Sequence, residues 1–295
     1  MGLQWGIDLG GTKIEGIVLD GAETVARLRI PTEADQGYEH IVERIAFLVA
    51  QLAADSGHSP DYLGIGTPGT EDPASRKLKN SNTVCLNGRT LSVDLATHVG
   101  IPIRIANDAN CFALAESRMG AAVGSHVAFG VILGTGVGGG IVVDGQVLGG
   151  LHGIAGEWGH NELEPNGESC YCGKRGCVET VLSGPALERY YERLSGSHLS
   201  LAEIADSDSP AARQTIDRLC AMFGRALSVV VNILDPDVIV LGGGVGNVEV
   251  LYSRGVEELS RWVFNPEVRT RIVRPMLGDS AGVFGAAMLN APLPG

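Results

Sequence analysis

The chain has 295 residues, enough for one large or two ordinary domains, and its 44% hydrophobic and 19% charged content is that of a well-packed soluble protein. Its net charge of -12 speaks against a general affinity for nucleic acid or anionic lipid, so an anionic ligand would need a local cradle of backbone N–H groups or a few placed cations. The opening MGLQWGIDLGG lacks the basic and apolar regions of a signal peptide, and the longest uncharged apolar run, residues 127–143, is short for a membrane span and glycine-rich, so a cytoplasmic protein is expected.

Residues 6–21, GIDLGGTKIEGIVLDG, read as apolar strand, tight glycine turn, apolar strand and Asp-Gly turn. Residues 39–54 carry Ile41, Ile45, Leu48, Val49 and Leu52 at helical spacing. Residues 61–69 (DYLGIGTPG) form a strand that runs into a Pro-Gly turn. Residues 101–106 form a short strand ending at Asn107-Asp108, and a helix follows over 109–119. Residues 130–145, GVILGTGVGGGIVVDG, repeat the pattern of residues 6–21. Residues 185–194 begin a helix with proline in its first turn. A long helix over 211–234 aligns Ile216, Leu219, Cys220, Phe223, Leu227, Val230, Val231 and Leu234 on one face, and a buried strand at 238–241 runs into Gly242-Gly243-Gly244. A helix of small residues over 281–290 closes the chain. Strands alternating with helices imply an α/β protein, with a domain boundary near Ala106.

The two glycine stretches align without a gap over 16 residues and are identical at eight pairs, Gly6/Gly130 and Gly10/Gly134 among them, which marks an internal duplication. The second copy contains a formal G-x-G-x-x-G at Gly134, Gly136 and Gly139. A dinucleotide fingerprint must open a helix, whereas these glycines lead into β-branched residues and an Asp-Gly turn, so the dinucleotide reading is weak. Two glycine-rich hairpin turns remain, at Gly10-Gly11-Thr12-Lys13 and Gly134-Thr135-Gly136. Such turns expose backbone N–H groups and let phosphate oxygens approach closely. A third cluster, Gly242 to Gly244, could lie against a flat ligand or simply connect a strand to a helix.

Asp108 sits between a strand and a helix, where α/β sheets commonly bind ligands. On spacing alone it reads equally as a general base and as a helix cap. His160, Cys170, Cys172 and Cys177 form H-x9-C-x-C-x4-C, one imidazole and three thiolates, a set for tetrahedral structural zinc with no open position. Glu157 and Glu179 flank this knot, either as rigidly held ligands of a polyhydroxylated molecule or as solvated surface carboxylates.

IDLGGTK, GIGTPG, NDAN, GTGVGGG, GEWGH, CYCGKRGCVE and VIVLGGG run through the whole chain. Together they resemble the ROK family of bacterial sugar kinases, within the actin/hexokinase-like ATPases. Among its members the stretches KNSNTVCLNG, NDANCFALAE, GEWGHN and YCGKRGCVET are most similar to fructokinase- and mannokinase-like proteins, and the N-acetylglucosamine kinases share much of the pattern.

The resemblance implies a two-domain α/β fold of duplicated ribonuclease-H-like domains around a cleft. Residues 1–106 with about 281–295 would form the smaller domain, and 107–280 the larger. It implies ATP- and Mg²⁺-dependent phosphorylation of a hexose, with fructose expected and an N-acetylhexosamine or glucose as the alternative. Asp108 would be the general base. Gly10, Gly11, Thr12 and Lys13 would hold phosphates with Gly134, Thr135 and Gly136. Asp8 would face Mg²⁺ through water, and Gly243 and Gly244 would border the adenosine. Pro68, Gly69, Asn82, Asn107, Glu157, His160 and Glu179 would contact the sugar, with His160 also on zinc. A homodimer is expected on the same ground. Cys85, where relatives tend to carry an aromatic residue, and the short spacer from His160 to Cys170 depart from the pattern and bear on which sugar fits. The family's repressors carry a helix-turn-helix domain ahead of the first phosphate loop; with five residues before Gly6 and a net charge of -12, DNA binding is not expected. A catalytically silent sugar sensor is the remaining alternative.

Overall fold

The computed structural model describes residues 2–289. Strands β1 (Gln4–Leu9), β2 (Lys13–Asp20) and β3 (Glu23–Pro31) form an antiparallel meander whose first turn is the Gly10–Thr12 tip. Helix α1 (Tyr38–Ser56) follows, buried through Ile41, Ile45, Leu48, Val49 and Leu52 as the spacing predicts. Next come β4 (Leu63–Thr67), a short ribbon of β5 (Thr70–Glu71) and β6 (Leu78–Lys79), then α2 (Leu91–Val99), β7 (Ile103–Asn107) and α3 (Asp108–Met119). β4 pairs parallel with β1 and β7 parallel with β4, which gives the sheet order β3-β2-β1-β4-β7. A strand covered on both faces needs no polar alternation, and every residue of β4 is buried.

The second sheet has the order β10-β9-β8-β11-β12. Its strands are β8 (Val127–Leu133), β9 (Val137–Val143), β10 (Gln146–Val147), β11 (Val238–Gly242) and β12 (Arg271–Val273). β8 and β9 carry the second glycine copy, as β1 and β2 carry the first. Between β10 and β11 lie helices α4 (Glu179–Leu182), α5 (Gly184–Ser195), α6 (Leu201–Asp206) and α7 (Pro210–Leu234), and α8 (Arg254–Ser260) precedes β12. α7 begins where Ser209 accepts the Ala212 N–H, and it buries Leu219, Cys220, Phe223, Leu227, Val230 and Val231.

Helix α9 (Ala281–Met288) explains its own composition. A Cβ on Gly64 would stand 1.8 Å from the Ala286 carbonyl oxygen, and one on Gly285 would stand 1.8 Å from that of Cys111. Backbone therefore meets backbone where α9 crosses β4 and α3, and only glycine fits. The expected helix ran to Asn290; residues 290–295 lie outside the described residues.

The chain forms two compact units. One holds the residues up to Val123, Gly140–Ala155 and the chain from Leu277; the other holds Gly124–Gly139 and Gly156–Met276. The boundary expected near Ala106 precedes α3, whereas packing on α9 groups α3 with the strands before it.

Glu116 of α3 is fully buried in the first unit. Its carboxylate accepts the Ala121 N–H at 2.8 Å and the Leu277 N–H at 2.9 Å. Glu116→Ala strands two part-buried donors and is expected to cost about 1–3 kcal/mol in chemical denaturation. A loss below about 1 kcal/mol would mean that water replaces the carboxylate.

Candidate functional site

In the first unit the hairpin tip is fixed by its own backbone and by Thr32. Gly10 N donates to Lys13 O at 3.0 Å, Thr32 Oγ1 donates to Gly10 O at 2.7 Å, and Thr32 N donates to Thr12 O at 3.0 Å. Thr32 is completely buried and carries no motif, so sequence reasoning passed over it. Gly11, Thr12 and Lys13 remain exposed.

A cavity of 810 Å³ opens beside the tip, lined by Gly10, Gly11 and Thr12 together with Pro68, Asn82, Cys85 and Asp108. This is ample for a sugar-sized ligand. The loop that carries Asn82 is held by Asn87, which had not been singled out. Its Oδ1 accepts the Ser81 N–H at 2.9 Å and its Nδ2 donates to Ser81 O at 2.8 Å. Gly69 serves this loop indirectly. With φ 124°, and a Cβ position 2.8 Å from Lys79 O, it lets the backbone of residues 79–81 close on the Pro-Gly turn.

The choice between base and cap at Asp108 has a structural answer on one side. Asn107 is the cap of α3, its Oδ1 accepting the Asn110 N–H at 2.8 Å. Asp108 is the first helical residue and is exposed to the cavity, with Oδ1 bonded to the Ala109 N–H at 2.8 Å. The protein crowded around this open carboxylate desolvates it and pushes its pKa up, partly opposed by the Ala109 and Asp108 backbone N–H groups.

Asp8 is the penultimate residue of β1 and is partly buried, sharing the space above Gly66 with the Cys111 thiol. Burial first, then the charges of Asp108 and Glu15, raise its pKa to about 6, against the pull of Lys13 and Arg29. A raised carboxyl pKa means that the folded state resists ionisation. The penalty is absent below the ordinary value of 3.8, grows as pH rises, and is complete above about 6. Asp8→Asn is therefore expected to stabilise the fold at pH 8 by about 2–3 kcal/mol and to leave it nearly unchanged at pH 3.5. Denaturant midpoints at the two pH values test this, and equal shifts at both would remove the ionisation argument.

In the second unit Gly134 N donates to Gly136 O at 2.9 Å and Gly184 N donates to Gly134 O at 2.9 Å, which closes the second tip. Val137 N donates to Glu179 Oε2 at 3.0 Å. Gly243, with φ 81°, brings the third glycine cluster to the same place, since a Cβ there would stand 2.3 Å from Leu133 O. Gly243 and Gly244 are exposed. Glu157 is partly buried at the head of the short turn Trp158–His160. That turn is seated on β9 by the Trp158 indole N–H, which donates to Gly138 O at 3.1 Å, and its indole packs edge-to-face with Phe129 of β8.

The four metal-ligating residues converge. One donor atom from each of His160, Cys170, Cys172 and Cys177 lies within 4.8 Å of all the others. Cys170 Sγ is 3.6 Å from His160 Nδ1, and Cys172 Sγ is 3.6 Å from Cys177 Sγ. A tetrahedron with zinc–sulfur bonds of about 2.3 Å has edges of about 3.8 Å, so donor type and spacing both fit zinc. The other nitrogen, Nε2, lies 3.1 Å from the Tyr171 hydroxyl. The backbone bridges Glu162–Cys177 and Ser169–Arg175 bring the two arms of the loop together.

A family profile described as ROK family matches residues 4–292. The chain belongs to the ROK family. The N-acetyl-D-glucosamine kinase of Photobacterium profundum is 36% identical over 302 residues, covering 98% of this chain and 99% of that protein. The ROK hexokinase of Thermus thermophilus superposes with a TM-score of 0.89 at 33% identity, over 98% of this chain and 97% of that one. A ROK glucokinase from Streptomyces griseus, solved with glucose and AMPPNP, does so with a TM-score of 0.79 at 30% identity, over 98% and 99%. The fold is thus the two-unit α/β architecture expected of actin-like ATPases. The expected placement beside fructokinase-like members is corrected towards the N-acetyl-D-glucosamine kinases. Among the described residues no helix is long and apolar enough to cross a membrane.

Proposed function

We propose that the chain transfers the terminal phosphoryl group of ATP to a hydroxyl of N-acetyl-D-glucosamine, with Asp108 as general base. That it is a sugar kinase follows from its family and from relatives that match it end to end. The observation that carries the mechanism is the shared cavity: Asp108 opens into the same 810 Å³ space as the Gly10–Thr12 tip. Phosphoryl transfer needs positioning and charge neutralisation more than covalent chemistry. In this reading Gly10 to Lys13 and Gly134 to Gly136 cradle phosphates with backbone N–H groups, and Gly243 and Gly244 border the adenosine. Pro68, Gly69 and Asn82 shape the sugar side, and Glu157, His160 and Glu179 supply its polar contacts. Asn107 holds the cap that aims Asp108. Asp108 takes the proton from the sugar hydroxyl as its oxygen attacks.

Asp8 is an oxygen donor flanked by the charges of Asp108 and Glu15, an environment that suits Mg²⁺, the ion that screens phosphate charge when ATP is bound. His160, Cys170, Cys172 and Cys177 would hold zinc, which supplies structural closure of the loop and no step of the reaction.

N-Acetyl-D-glucosamine replaces fructose because the relative aligned over 98% of this chain acts on it by name. An ADP-release assay with Mg-ATP and N-acetylglucosamine, N-acetylmannosamine, glucose, mannose and fructose tests both levels. The highest kcat/KM is expected on N-acetylglucosamine. A preference for fructose would overturn the substrate, and turnover on none of the sugars would overturn the kinase.

A further inference from the structure

Glu179 is read above as a sugar contact, and its carboxylate also reaches the second hairpin. It opens α4 two residues after Cys177. Oε2 accepts the Val137 backbone N–H at 3.0 Å, and Oε1 lies 3.8 Å from Cys170 Sγ. At Gly136 a Cβ would stand 2.7 Å from Oε2, so the bare backbone there leaves room for the carboxylate. Two further tethers reach the same hairpin. Gly184, which follows α4, bonds Gly134, and Trp158, two residues before His160, bonds Gly138. Each arm that carries metal ligands thus also carries a hydrogen bond to the second hairpin.

A carboxylate next to a phosphate cradle works against anion binding through its charge. Its place there makes sense through its geometry. An acceptor on the Val137 N–H fixes the strand entry directly after Gly136, and a cradle that is held before the ligand arrives binds with less ordering cost. We propose that Glu179 is a positioning residue for the second phosphate hairpin and couples the hairpin's shape to the order of the His/Cys cluster. The proposal rests on the reading of Gly134–Gly136 as a phosphate loop.

The test compares the zinc-loaded wild type with Glu179→Ala and Glu179→Gln, since glutamine can make the same bond without the charge. Three quantities are read: hydrogen exchange of the 134–140 segment, affinity for a non-hydrolysable ATP analogue without sugar, and bound zinc. In Glu179→Ala, exchange is expected to quicken and nucleotide affinity to fall, each by about tenfold, the worth of one hydrogen bond to a charged group. Zinc should stay bound, and Glu179→Gln should restore both quantities to within about threefold of wild type. Stripping the metal from wild type with a chelator should quicken exchange over the same segment. Unchanged exchange and nucleotide affinity in Glu179→Ala, with only sugar affinity reduced, would overturn the proposal and return Glu179 to the sugar alone. Faster exchange with unchanged nucleotide affinity would instead remove the phosphate role from the hairpin. Chelation without effect on the segment would break the coupling to the cluster.

Discussion

Asp108→Asn is expected to lower kcat by about 10²–10⁴ while leaving nucleotide affinity intact. Asparagine has the size of aspartate and keeps an oxygen for the Ala109 N–H. The cap of α3 belongs to Asn107, so the helix does not depend on the substituted carboxylate. What is lost is the proton acceptor. The pH profile separates this from a steric effect. Desolvation by the surrounding protein raises the pKa of Asp108, so activity should fall on the acid side at a pH above the ordinary aspartate value of 3.8, as the base takes up a proton. That acid limb should vanish in Asp108→Asn. A variant within fivefold of wild type, or one that keeps the limb, would remove the base role.

The second large effect is expected at the cysteine cluster. Cys177 is fully buried, with Sγ 3.6 Å from Cys172 Sγ. Serine offers no thiolate, and one lost ligand of four opens the set. Metal binding to such a loop is folding free energy, so Cys177→Ser should lose its zinc and more than about 4 kcal/mol of stability in the unit that holds it. Metal analysis and proteolysis within residues 160–178 read the two consequences. Cys220→Ser is the control. Cys220 is equally buried, on α7 and outside the cluster, and its variant should keep the metal. Full zinc content in Cys177→Ser would exclude the four-ligand site.

The parts of the fold visible in the sequence are those that local periodicity or spacing dictates. Each glycine copy became a hairpin because its apolar runs and turn residues agree within sixteen positions, and α1 and α7 followed from apolar residues at helical spacing. The metal set was legible because three thiols and an imidazole lie within eighteen residues of one another, so chain topology hardly matters. What escaped depends on partners distant in the chain. Asn107 and Asp108 are both good caps, and only the start of α3 decides between them. Nothing in residues 8–13 points to Thr32, which reaches the tip only after β3 has returned along β2. Glu179 sits in a signature that suggests sugar, while its bond to Val137 spans 42 positions. The acceptor sugar is not legible because the motifs are common to several kinases, and the residues beside the cavity, Cys85 among them, shape a wall without naming its ligand.

The backbone contacts of α9 carry a consequence for how this protein is born. Gly6 of β1, Gly64 of β4 and Cys111 of α3 all await residues 285–287, and a Cβ on Gly6 would stand 2.3 Å from Ala287 N. A ribosome makes those residues well after the strands they cover. The early strands must therefore wait with one glycine-lined face bare while more than half of the chain is still being translated, against the usual order in which N-terminal parts settle first. Completion of the first unit thus waits for residues 285–287, and a chain truncated before residue 281 would leave that glycine-lined face uncovered.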